Sequence, residues 1–145
     1  MADWCNNILE ISGPVETVAM FKEKAVGFSP WRVPEPDEEP SILNFHNLIP
    51  IPPEVLAAGF DPDGHNWERE NWGCKWGACH AEIEDESDGH LSYSFDTAWM
   101  PPVRFIEKVS AAWPTLLFSL TYHGEGASFE GDATAQAGKL EDSLG

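Results

Sequence analysis

An α+β domain built on an antiparallel sheet is what this sequence predicts, and three observations predict it. Two stretches carry helical periodicity, at 14–26 and 101–113, and strand-like apolar runs lie before, between and after them. The pair Asp88-Gly89 joins two of those runs as a favoured two-residue hairpin. At 145 residues the chain is of a size that one domain accounts for, with roughly two-thirds of its unfolded surface buried on folding.

Trp4 to Ser12, with Ile8, Leu9 and Ile11, reads as a first strand closed by Gly13-Pro14. Val15, Val18, Phe21 and Ala25 then recur at three- and four-residue steps, with Pro14 at the first turn and Gly27 past the end, which predicts an amphipathic helix. Ser29 to Pro40 holds four prolines and four acids and reads as an exposed loop. A second strand is expected over 41–51, where Ile42, Leu43, Phe45, Leu48 and Ile49 lead into a proline-rich corner. A short helix at 53–58 ends at Gly59. A turn-rich unit inserted over about 50–77 concentrates Trp67, Trp72 and Trp76 and has spacings that suit one or two helical turns.

The runs 78–84 and 91–97 form the hairpin around Asp88-Gly89, and Phe105, Ile106, Val109, Ala112 and Trp113 give the second long helix its apolar face before Pro114 stops it. A strand at 116–123 follows, and the stretch of about 126–145 is an edge strand or a tail. The order corresponds to two split βαβ halves around one antiparallel sheet, the ferredoxin-like arrangement, with both long helices on one face.

Composition bounds the function. The chain carries 25 carboxylates against eight Lys and Arg, a formal charge of -17. So few cations displace few counterions from a phosphate backbone, and direct nucleic-acid binding is not expected; an anionic membrane surface repels the chain as well. Hydrophobic residues make up 42% and include seven tryptophans, enough for one aromatic-rich core. Cys5, Cys74 and Cys79 are an odd number lying in or beside apolar segments, which suits reduced thiols. With no basic leader and no apolar run of membrane-spanning length, the sequence reads as a soluble protein of the cytoplasm.

Three segments carry a resemblance. Glu70-Asn71-Trp72-Gly73-Cys74-Lys75-Trp76-Gly77 resembles the Glu-Asn-Trp-Gly-Thr-Lys-Trp signature of the ferredoxin-like domains found in phage, plasmid and genomic-island proteins typified by YubB. Trp4 to Gly13 resembles that family's first strand, and Phe95 to Pro102 resembles its strand-to-helix junction. Cys74 departs from the pattern, which more often has Thr, and so does the acid-rich loop at 34–40. The resemblance implies a ferredoxin-like core and a mobile-element origin. It brings no catalytic residue, because the family has no established activity, and a fold by itself carries no function.

Two constellations remain as candidate sites. Glu35, Asp37, Glu38 and Glu39 form one dense anionic run, and Glu84, Asp85, Glu86 and Asp88, with Glu82 beside them, form another. Such runs ordinarily make a solvated, soluble surface. Read functionally, they imitate a phosphate backbone and select a basic host protein, a defence or nucleic-acid-handling factor, which the chain binds and inhibits. The second constellation is Trp67, Arg69, Trp72, Lys75, Trp76 and Trp99. These rings either fill the core or line a pocket in which aromatic faces and two cations hold a small molecule or nucleotide.

Cys74, Cys79, His80 and His65 lack the paired spacing of a zinc site, and no phosphate-binding glycine loop, dinucleotide fingerprint or nucleophile elbow occurs. A Cys–His nucleophile is compositionally available and nothing more. The expectation is a non-enzymatic binding protein without metal or cofactor.

Overall fold

Alternation sets the first strand. Over Trp4–Ser12 (β1) the side chains of Cys5, Asn7, Leu9 and Ile11 are buried, whereas Asn6, Ile8 and Glu10 are exposed, so one face of the strand meets the core. The computed structural model describes residues 4–125 and 129–144. Gly13 and Pro14 turn the chain into α1 (Val15–Lys24), whose Val18 and Phe21, with Ala25 just beyond, lie against the sheet.

The expected strand over 41–51 is not a strand. Ser41 makes a single bridge to Gly27, and the chain then enters a helical turn, α2 (Phe45–Leu48), started by the Asn44 side chain, which accepts the Asn47 N–H. Leu43, Phe45, Leu48 and Ile51 are buried, and from Phe45 onward they follow three-residue steps instead of the alternation of a strand. α3 (Pro53–Ala58) stands where the short helix is expected, and a wide turn at 60–64 feeds α4 (His65–Asn71). The inserted unit thus occupies most of the chain between α1 and Lys75, beginning well before residue 50.

β2 (Lys75–Ser87) and β3 (His90–Ala98) form the expected hairpin, longer than the sequence suggests because β2 already pairs at Lys75↔Ala98. β2 reaches its full length through three register shifts, which bend it along the sheet edge. Gly89 closes the turn at φ 74°. α5 (Val103–Ala112) buries Phe105, Ile106 and Val109, and β4 (Leu117–Gly124) returns beside β1. The C-terminal region forms a second hairpin, β5 (Glu130–Gln136) and β6 (Lys139–Leu144). Residues 126–128 and 145 of the expected tail lie outside the described residues.

All pairings are antiparallel, in the order β2-β3-β1-β4-β5-β6. The four strands β2-β3-β1-β4 with α1 and α5 are the ferredoxin-like core; the insertion caps one end of it, and the β5–β6 hairpin widens the sheet beyond β4. Among the described residues, no helix is long and apolar enough to cross a membrane.

Candidate functional site

Register assigns each strand residue to a face, because directly opposed residues point the same way. Leu9, Tyr93 and Leu120 are opposed and buried under the helices. On the other side, one row runs Glu82, Ser94, Ile8, Thr121, Asp132. A neighbouring row runs Asp85, Ser92, Glu10, Ser119, Thr134, Glu141, and a third runs Asp96, Asn6, His123, Glu130. Glu84, at a register shift, accepts a hydrogen bond from the Ser94 hydroxyl and joins the same face.

Eight carboxylates therefore gather on the side of the sheet that α1 and α5 leave uncovered: Glu10, Glu82, Glu84, Asp85, Asp96, Glu130, Asp132 and Glu141. Among the described strand residues, the lysines at open-face register positions are Lys75 and Lys139, at diagonally opposite corners. Histidines punctuate the face. His80 Nδ1 lies 2.8 Å from Asp96, and His90 lies 3.5 Å from both Glu10 and Asp85.

The two acidic runs seen in the sequence do not form one surface. Glu35, Asp37, Glu38 and Glu39 lie in the loop before the insertion, where Arg32 makes a bidentate pair with Glu38 at 2.7 and 2.6 Å. Arg32 and Glu38 border the same small pocket as Trp76 near the start of β2, whereas Glu84 to Asp88 stand towards its far end, about 15–25 Å along the strand. The second run is itself divided. Glu84 and Asp85 are on the open face, Glu86 turns to the helix side and pairs with Lys22 at 2.7 Å, and Asp88 sits in the hairpin turn.

The tryptophan constellation is divided as well. Trp72 is buried, packed edge-on to Phe45 and Trp67, with its indole N–H donating to the Ile49 carbonyl, so Trp72 and half-buried Trp67 pin the insertion to the core. Trp76 is exposed under the Lys75 ammonium, 4.3 Å from its ring centre. Arg69 and Trp99 lie elsewhere. They border a cleft of about 580 Å³ between α4, α5 and the β4–β6 end of the sheet, with Met100, Arg104, Tyr122 and Phe129. Lys75 reaches a smaller adjoining pocket that shares Arg69, Trp99 and Met100.

Two residues that sequence reasoning passed over organise this end. Glu68 is fully buried; its carboxylate accepts the Trp31 indole N–H at 2.8 Å and the Trp76 backbone N–H at 2.6 Å. Its position four residues before Trp72 on the inward face of α4 was the available signal. Thr97, also fully buried, accepts from the Asn7 amide at 3.0 Å and donates to the Met100 carbonyl at 2.7 Å, fastening the β3–α5 turn.

The thiols are poor nucleophiles. Burial pushes Cys5 up to about 11 and holds Cys74 well above the ordinary thiol range, the reverse of an activated cysteine. Among the described residues, no group of three His, Cys, Asp or Glu side chains is placed to hold a metal ion.

Strand order and helix placement together define an α+β ferredoxin-like domain. Residues 75–144 match the family model described as the ferredoxin-like domain in Api92-like protein. The chain is also similar to the crystal structure of protein api92 from Yersinia pseudotuberculosis, with a TM-score of 0.76 and 12% identity over 100% of this chain and 98% of that one. At that identity the likeness concerns the fold. No curated protein matches the chain.

Proposed function

We propose that this chain is a non-enzymatic binding protein that docks a basic host protein on the open face of its sheet and inhibits it. The observation that supports this reading most strongly is the convergence of eight carboxylates, scattered from residue 10 to residue 141, on one uncovered face where, among the described strand residues, the lysines stand at two corners. A face of that sign attracts a basic surface over a distance, orients it and rejects nucleic acid and anionic lipid. The resemblance of three segments to phage, plasmid and genomic-island proteins supports a mobile-element origin and hence a host protein as target. A defence or nucleic-acid-handling factor has the basic groove such a face fits.

The test is capture from a nuclease-treated host extract, followed by affinity measurement with the purified partner across a salt series. A single basic protein whose affinity falls about tenfold or more between low and physiological salt is the expected result. Affinity indifferent to salt contradicts the proposal.

A further inference from the structure

The cleft beside Trp99 lies on the helix side of the sheet, away from the acidic face, and its construction differs from the rest of the surface. Its volume, about 580 Å³, is that of a small-molecule site. Two of the three arginines of a chain with 25 carboxylates border it, from two different helices. Among the described residues Arg69 makes no ion pair or side-chain hydrogen bond, and Arg104 has one exposed contact, 3.0 Å to Glu107 on its own helix. In so acidic a protein, guanidinium groups left this free are available to an external anion, and their planar forks match phosphate or carboxylate.

The aromatic wall is held out deliberately. Trp99 is 47% exposed and its backbone is left-handed, φ 69°, a conformation uncommon for any residue but glycine. The turn that imposes this is fastened from beneath by the Asn7–Thr97–Met100 chain of hydrogen bonds and by the Met100 N–H on the Ala98 carbonyl at 2.8 Å. A buried polar network thus positions an indole that the core does not use. Opposite it, the Tyr122 hydroxyl donates to Asp142 at 2.7 Å and orients a carboxylate at the cleft wall.

We propose that this cleft binds a planar aromatic anion: its ring lies on the Trp99 indole, its phosphate or carboxylate sits between Arg69 and Arg104, and Asp142 accepts a hydrogen bond from a donor on the same molecule. Stacking is indifferent to the identity of the ring, and the cationic pair supplies the requirement for charge.

Calorimetric titration with adenosine 5′-monophosphate and with indole-3-acetate separates a phosphate from a carboxylate source, and adenosine and inorganic phosphate serve as the two half-ligands. Saturable binding of at least one complete probe is expected, with each half-ligand weaker by about tenfold or more. The Arg69→Gln/Arg104→Gln double variant and the Trp99→Gly variant should each weaken that probe about tenfold. Glycine adopts the left-handed backbone freely, so Trp99→Gly should retain or raise the melting temperature and separate loss of binding from loss of fold. No binding by either complete probe, binding that survives both variants, or half-ligands as tight as the whole, overturns the proposal.

Discussion

Glu68 carries the largest single-residue consequence. It is buried with two N–H donors and, among the described residues, no ion-pair partner. Burial raises its carboxyl above the ordinary glutamate value of 4.5, and the donors from Trp76 and Trp31 only partly oppose that. Glu68→Ala leaves the part-buried N–H groups of Trp31 and Trp76 without this acceptor, and chemical denaturation should show a loss of about 2 kcal/mol. The pH dependence has a definite sign. With its folded-state value raised, this group's stabilisation is fully present below about pH 4.5 and is lost as the pH rises through the native value. The wild type should therefore lose stability relative to Glu68→Gln as the pH is raised from 4.5 towards neutrality, measured by denaturation midpoints across that range. The spacing of Glu68 four residues before Trp72 is the one signal the sequence holds, and it is outweighed because a glutamate in a run of charged residues reads as a solvated one; the contacts from Trp31, 37 positions away, and from the Trp76 N–H make it internal.

At the scale of elements, the joint between insertion and core is aromatic. Phe45 of α2 stacks on Phe105 of α5 with centroids 3.7 Å apart and planes within 5°, while the Phe105 N–H donates to the Trp72 carbonyl. Phe105→Ala should cost roughly 3–5 kcal/mol by chemical denaturation, since a fully buried ring is removed from the contact where α5, α2 and the Trp72 segment meet. Both long helices and the β2–β3 hairpin were legible, because their periods are sustained and Pro, Gly or Asp-Gly mark their ends. The segment 41–51 was not. Its apolar residues are dense enough to satisfy either period, and the Asn44 cap that decides for a helix is a single polar side chain. The β5–β6 hairpin was half legible: the sequence leaves the stretch of about 126–145 as an edge strand or a tail, and the pairing of Leu140 opposite Ala135 comes with contact to α5 and not from local propensity.

For the whole molecule, charge is the dominant long-range term. The 25 carboxylates leave a formal net charge of -17, and among the described residues the Lys and Arg ion pairs are Lys22–Glu86, Arg32–Glu38 and Arg104–Glu107, all partly exposed and individually weak. Shortening the screening length from about 30 Å to about 8 Å by added salt should relieve self-repulsion by about 1 kcal/mol, raising the melting temperature by roughly 3 °C. The net charge was evident from composition, but its distribution was not. Neighbours in sequence such as Asp85 and Glu86 point to opposite sides, and carboxylates as distant as Glu10 and Glu141 share one face, so only the strand register reveals where the field is concentrated. That register places Glu82, Glu84 and Asp85 on the face proposed to dock a partner and leaves Asp37 and Glu39 in the loop remote from it. The most direct test compares partner capture by a Glu82→Lys/Glu84→Lys/Asp85→Lys variant with capture by an Asp37→Lys/Glu39→Lys variant at equal protein stability. The docking-face account predicts loss of the partner with the first and retention with the second; retention by the first variant, or loss with the second alone, contradicts it.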